Sequence, residues 1–260
     1  FNSEPENGYA VMRLKGDDGN VHIYDGITGE TTAVGEFVSF TAICRPTVMA
    51  SMKAGLGAIS VDATFLPVRP DLNLHILDGI FPAIATEGLT IVPIAIHLSF
   101  GECTESYGDM WSFLRDFDPQ PNGKGVAADW FNSVVVHADR GPGCCMEPAL
   151  HEVFPMAKFR SCAFHVFQAM ERNCRGTCIS RELFMTLVQA QVGKPFETVL
   201  SSIKSQSLQS YRYLVGASPE QFCVGHPSFE SGFNSGLNAS VVESEMKRVT
   251  HERKSGKSIL

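Results

Sequence analysis

No apolar run here is long enough to cross a bilayer. The stretch Ile91 to Leu98 is broken by Pro93 and His97, and a spanning helix takes about 20 residues. Neither a transmembrane helix nor a signal peptide is predicted, so the expected setting is intracellular and without a membrane partner. Positive charge is also short: 21 Lys and Arg stand against 28 Asp and Glu, a net charge of −7. Such a chain has no general attraction to phosphate backbones, and any nucleic-acid contact must be local or supplied elsewhere. The eight cysteines (44, 103, 144, 145, 162, 174, 178 and 223) follow no regular spacing, which reads as reduced thiols rather than a disulfide framework. Cys174-x3-Cys178 lacks a second matching pair, so a structural zinc is not expected, and the adjacent Cys144 and Cys145 read as ordinary helix residues. Internal repeats and low-complexity tracts are absent as well. What remains is a globular composition: 260 residues, 44% hydrophobic and 19% charged. It suffices for one large domain or two small ones with a real core.

Two β-prone runs, Tyr9 to Leu14 and Val21 to Tyr24, flank the turn-rich Gly16-Asp17-Asp18-Gly19-Asn20 and predict a hairpin, which Phe37 to Cys44 can extend. Ala58 to Phe65 is β-branched and apolar except for Asp62, and reads as a central strand. Leu74 to Ile80 and Ile91 to His97 follow as strands, most simply an antiparallel meander. Ser106 to Phe117 has Met110, Phe113, Leu114 and Phe117 at helical spacing. Phe131 to His137, with Val134-Val135-Val136, predicts a strand buried on both faces. Met146 to Val153 reads as a helix, Lys158 to Cys162 as a short strand and Ala163 to Glu171 as a helix. Amphipathic helices are expected over Arg181 to Val192 and Phe196 to Ser207, and a last one over Ser240 to Arg253, after the Gly- and Ser-rich Ser228 to Gly236.

Asp62 lies within a predicted strand and Asp139 at the end of another, positions where an aspartate is costly unless something compensates it. If the first and fourth core strands are parallel neighbours, the two carboxylates converge, and two anions at close range need a divalent cation or a shared proton. A plainer role is equally open, with Asp139 starting the next turn and Asp62 capping a strand end.

Asp62-Ala63-Thr64-Phe65, Ile91-Val92-Pro93-Ile94-Ala95, Glu105-Ser106 and Trp111-x-Phe113-Leu114 come in one order. Val135-Val136-His137-Ala138-Asp139-Arg140-Gly141, Val153-Phe154-Pro155-x-Ala157 and Phe159-Arg160-Ser161-Cys162-Ala163-Phe164-His165 follow. This ordered set resembles the Mutator-like (MULE) transposase domain, over roughly residue 9 to the end. The resemblance implies an α/β, ribonuclease H-like mixed central sheet with flanking helices and an α-helical insertion before the last catalytic helix. The corresponding divisions are 1–54 as a β-rich extension, 55–172 as the core, 173–236 as the insertion and 237–260 as the closing helix. It further implies an Asp-Asp-Glu triad of Asp62, Asp139 and Glu243 holding two Mg²⁺ or Mn²⁺ ions. These activate water or a DNA 3′-hydroxyl and stabilise the leaving oxygen.

Glu243 occupies the family position in Ala239-Ser240-Val241-Val242-Glu243-Ser244, although Ser240 stands where the family usually has Asn. Ser240-x-x-Glu243 is also a capping box, which would turn Glu243 back onto its own helix; Glu245 is then the fallback ligand. Cys162-x2-His165 matches the family's Cys-x-x-His signature. As half of a tetrahedral site, it reads as packing near the active site or touching DNA, or simply as a buried Cys beside a bonded His. Arg140 and Arg160 are candidates to grip the scissile phosphate, Arg160 alternatively pairing with a carboxylate. His137 is expected to pack beside Asp139, Glu105 to start a helix, and Trp111 and Trp130 to lie in the core. The C-terminal cations Lys247, Arg248, Arg253, Lys254 and Lys257 either contact phosphates or form a solvated face.

The function expected from the resemblance is metal-dependent cleavage of transposon-end DNA and strand transfer into target DNA, in the nucleus, by a homo-oligomer. Two alternatives stay open: a domesticated, catalytically silent DNA-binding or transcription-regulating derivative, and another two-metal phosphoesterase on the same fold.

Overall fold

The computed structural model describes residues 9–25, 35–55, 58–66, 69–82, 89–117, 126–138, 145–190 and 194–223. Among them is an eight-stranded sheet in the order β2-β1-β3-β6-β5-β4-β7-β8. Its strands are β1 (Tyr9–Lys15), β2 (Val21–Asp25), β3 (Glu36–Ile43), β4 (Ala58–Leu66), β5 (Arg69–Pro82), β6 (Leu89–Phe100), β7 (Val135–Ala138) and β8 (Lys158–Ser161). The helices are α1 (Arg45–Lys53), α2 (Thr104–Asp116), α3 (Val126–Ser133), α4 (Met146–Val153), α5 (Ala163–Asn173), α6 (Arg181–Gln189), α7 (Lys194–Gln206) and α8 (Leu208–Gly216). The expected mixed α/β architecture is present. The chain divides into two compact units, residues 1–136 with 142–158, and residues 137–141 with 159–260.

In the first unit the hairpin forms as its turn chemistry requires. Gly19 takes φ +79°, which costs glycine nothing, and Asp18 accepts the Asn20 N–H at 3.0 Å. β1 pairs antiparallel with β2 and β3, β3 with β6, β6 with β5, and β5 with β4. The β5–β6 register shifts between Leu77 and Asp78, where Asp78 faces Pro93. A bulge there absorbs a residue that cannot donate to the ladder. β8 lies beside β7: Lys158 N–H donates to Val134 O at 3.2 Å and Cys162 N–H to Ala138 O at 2.8 Å. Both bonds keep the same 24-residue offset (158 − 134 and 162 − 138), so this pair is parallel.

One expected strand differs in type over its first residues. Phe131 to Ser133 belongs to α3, and the strand starts only at Val135. The aromatic rings explain it. Phe131 stacks on Phe154 at 5.3 Å and touches Trp130 at 4.7 Å, while Trp111 meets Phe154 edge-on at 6.3 Å. A helix presents Trp130 and Phe131 to this buried cluster, and the area they remove from water outweighs a weak strand preference. Ser133 closes the helix by donating to Trp130 O at 2.7 Å.

The second unit has its own core, built from Val166, Phe167 and Met170 of α5, Phe184, Leu187 and Val188 of α6, Ile203 of α7 and Leu214 of α8. Helices α6 and α8 begin at serine caps: Ser180 Oγ accepts the Leu183 N–H at 3.2 Å, and Ser207 Oγ accepts the Ser210 N–H at 3.0 Å. Ser210, fully buried, donates to Thr177 O at 3.3 Å and accepts the Ile179 N–H at 3.3 Å. The turn after α5 is thereby fixed to the start of α8.

Candidate functional site

Asp62 stands in β4, where Ala58 to Val61 are buried. It is half-buried, and its Oδ1 accepts the Ala63 N–H at 2.9 Å. Strand pairing sets it in the row Ala42–Ile96–Ile76–Asp62 across β3, β6, β5 and β4. Residues directly opposite share a sheet face, so one carboxylate closes a row that is otherwise apolar. Its hard oxygens are the donor type Mg²⁺ takes, and in this respect the residue fits the ion. The neighbouring strand β7 ends at Ala138, the residue before Asp139. Asp139, Arg140, Glu243 and Glu245 lie outside the described residues. Among the described residues no three side chains of metal-ligating type gather.

The other candidates fall in the second unit. His137, on β7, is half-buried; burial and then the nearby Arg160 lower its pKa to about 4, which keeps the imidazole neutral at neutral pH. Cys162 is buried at the N-cap of α5. His165 lies in the first turn of α5, with its ring against Phe164 at 5.6 Å. Arg160 is half-buried and its guanidinium donates to the Glu220 carbonyl; beside it Ser161 Oγ donates to Gln221 Oε1 at 3.2 Å. Burial lowers the Arg160 pKa. A backbone oxygen of the 3₁₀ turn Pro219–Gln221 is thus among the contacts of Arg160, and the nearby Glu220 charge acts on it against the effect of burial.

Sequence reasoning missed a buried polar layer under α2. Register aligns Arg13, Ser39, Ser99 and Asn73 in one row and Thr41, His97 and His75 in the next. Ser39, Thr41, Asn73, His75, His97 and Ser99 are all buried, both histidines at 0% exposure. Helix α2 closes the layer with Ser106, Tyr107 and Asp109. Asp109 pairs with Arg13 at 2.8 Å and accepts from Ser39 Oγ at 3.4 Å, and Tyr107 packs edge-on to His75 at 4.9 Å.

The donors and acceptors of this layer resolve in one direction. Ser99 Oγ has one proton and gives it to Gly101 O at 3.2 Å, so it accepts from Ser106 Oγ at 2.6 Å and from His75 Nε2 at 3.4 Å. Ser106, its proton committed, accepts from His97 Nε2 at 3.3 Å, which leaves His97 Nδ1 to accept from Thr41 Oγ1 at 2.8 Å. Both histidines are then neutral Nε2–H tautomers, and the buried Nδ1 of His75, which has no hydrogen-bond partner, is an unfilled acceptor. Burial drives the His75 pKa down to about 4 and that of His97 to about 3, with His75 and Arg13 adding to the latter. With no exposed nucleophile or acid, the layer fastens α2 to the sheet rather than offering a reactive surface.

No protein-family model matches the chain, and no curated protein matches it in sequence.

Proposed function

We propose that this chain is the catalytic domain of a DDE-type DNA transposase on a ribonuclease H-like fold, cleaving transposon-end DNA and transferring its 3′ end. The observation that carries the reading is the position of Asp62: a half-buried carboxylate in an apolar row of β4, next to the strand that leads directly into Asp139. Three antiparallel strands β4 to β6, then helices, then the parallel pair β7–β8 follow the strand and helix order that the resemblance implies. They also make the first and fourth core strands neighbours.

In this reading Asp62, Asp139 and Glu243 hold two Mg²⁺ or Mn²⁺ ions. When bound, the ions supply Lewis acidity toward the attacking hydroxyl and the leaving oxygen. Asp62 does its part from a strand hydrogen-bonded on the β5 side along Ile59 to Leu66, which holds the carboxylate at a fixed height. The Ala63 N–H bound to Oδ1 restricts its rotation.

The test is nicking of supercoiled plasmid and of labelled duplex with Mg²⁺ or Mn²⁺, by the wild type and by Asp62→Asn and Asp139→Asn. A loss of at least about 100-fold in both variants is expected where a ligand to a catalytic ion is removed. Variants that nick at the wild-type rate would overturn the assignment. An intact, folded wild type without nicking, alone and in its full-length context, would favour the domesticated scaffold.

A further inference from the structure

The net charge of −7 hides a division. Residues 1–158 carry 9 Lys and Arg against 20 Asp and Glu, net −11, whereas residues 159–260 carry 12 against 8, net +4. In the first unit Arg13 and Arg115 are paired with Asp109 and Asp116. In the second, Arg172, Arg175, Lys204 and Arg212 are all exposed, and among the described residues none of them is in an ion pair. Arg172 bonds only within its own helix, to Gln168 O at 3.3 Å.

These four cations are brought into one strip. Gln209 Nε2 donates to Asn173 O at 3.0 Å, and Gln209 Oε1 accepts from Thr177 Oγ1 at 2.8 Å. The end of α5, with Arg172 and Arg175, is thereby tied to the first turn of α8. Arg212 follows Gln209 by three residues on the same helix face, and Lys204 lies over the Tyr211 ring at 5.3 Å. An exposed anion, Glu171, directly precedes Arg172 in the sequence.

We infer that this strip of the helical unit, Arg172, Arg175, Arg212 and Lys204, is a docking surface for the phosphate backbone of duplex DNA. The inference rests on the proposed catalytic reading for the identity of the polyanion. The charge pattern supplies the rest: cations that, among the described residues, are in no ion pair stand on the positive part of a chain whose remainder repels phosphate. A chain of net −7 can hold DNA only through such a local surface. Contacts to phosphate carry no sequence information, so the expected binding is independent of sequence.

The test is fluorescence anisotropy of the full chain with a labelled duplex of random sequence, between about 50 and 200 mM NaCl, the range over which counterion release is steep. Three or four phosphate contacts give a slope of log K against log salt near −3, about −0.9 for each contact. R172E/R175E/R212E is expected to weaken binding by at least 10-fold and flatten the slope by about 3. Arg172→Glu and Arg181→Glu, one charge reversal each, are the charge-matched comparison. Arg181 lies over Phe164 at 5.3 Å, and Phe164 is eight residues before Arg172, about 12 Å along the helix; the Arg181 variant should bind more tightly than the Arg172 variant. Far-UV circular dichroism checks that each variant is folded.

Equal binding and equal slope in the folded triple variant and the wild type would overturn the inference, as would no binding by the wild type at low salt. Binding of polyglutamate in place of DNA would identify an acidic protein partner and overturn it too. Asp62→Asn separates the two readings. Retained DNA binding without nicking supports both. Strip-dependent binding by a wild type that never nicks leaves the docking surface standing and removes the catalytic reading.

Discussion

Acidification from pH 7 to 5 should destabilise the first unit through His75 and His97. Both rings are neutral in the folded state, with pKa values of about 4 and about 3 against 6.5 when unfolded. A histidine with a depressed folded pKa contributes stability that is complete above 6.5. That contribution falls as the unfolded chain takes up protons the folded chain refuses, until pH passes the folded value. Each such group gives a slope of up to about 1.4 kcal/mol per pH unit, and two give a loss of about 3 kcal/mol between pH 6.5 and 5. The hydrogen bonds explain the penalty. A proton added to His75 lands on a buried Nδ1 with no acceptor, and one added to His97 lands on the atom that Thr41 Oγ1 already donates to. Asp109, whose pKa burial raises against the pull of Arg13, carries the opposite sign and would blunt the acid loss rather than mimic it. Both tryptophans, Trp111 and Trp130, lie in the first unit, so their emission during urea titration reports this unit alone. For a urea m-value of about 2 kcal/mol/M the midpoint should fall by about 1.5 M between pH 6.5 and 5. His75→Phe keeps the ring contact with Tyr107, gives up only the 3.4 Å bond to Ser99, and should remove about half of the slope. A midpoint independent of pH over this range, or a full slope in His75→Phe, would refute the reasoning.

Two further outcomes test the packing of each unit. Phe154→Ala empties the centre of the Trp111–Phe131–Phe154 cluster, where Phe154 is fully buried. It should cost about 3–5 kcal/mol, read as a lower urea midpoint of tryptophan emission. Ser180→Ala removes the cap on Leu183 N–H and should lower stability by about 1 kcal/mol. That loss appears in the helical circular dichroism of the second unit and leaves the tryptophan transition unchanged.

Strands and helices whose hydrophobic period is clean were legible. The hairpin, β5, β6, α2 and α4 lie where alternation or three-four spacing puts them, with ends moved by a few residues. Helix α1 was not, because only Val48 and Ser51 of its nine residues are buried and an apolar stripe scarcely exists. Helix α8 escaped for a related reason: Leu208 and Val215 are exposed while Ser210 is buried, so hydropathy misstates which face packs. Of the candidate triad, Asp62 alone lies among the described residues. It was legible because one carboxylate interrupts a β-branched run, a signal that needs no knowledge of register.

The polar layer shows the limit of alternation most sharply. In β6 the period-two pattern sets Ile94, Ile96 and Leu98 on one face and Ala95, His97 and Ser99 on the other, and hydropathy assigns the first set to the core. The structure departs from that ranking: His97 and Ser99 are as buried as Ile94, while Ile96 and Leu98 are half-buried. β5 does the same, with Asn73 and His75 buried along with Leu74, and Leu72 and Ile76 half-buried. A polar strand face can be buried only when most of its donors and acceptors are answered. Here the answers come from register, which pairs His75 with His97 and Ser99 with Asn73, and from Ser106 and Asp109 on the helix that follows. Neither is visible in any one strand, since pairing is set by contacts between segments. The same alternation puts Asp62 in the row of Ile76 and Ile96, on the face opposite the histidines. The buried imidazoles therefore fasten α2 on one side of the sheet while the carboxylate proposed for catalysis stands on the other. Acid titration of the layer and metal-dependent chemistry at Asp62 are accordingly separable: His75→Phe should change the first and leave the second at its wild-type rate at pH 7.5.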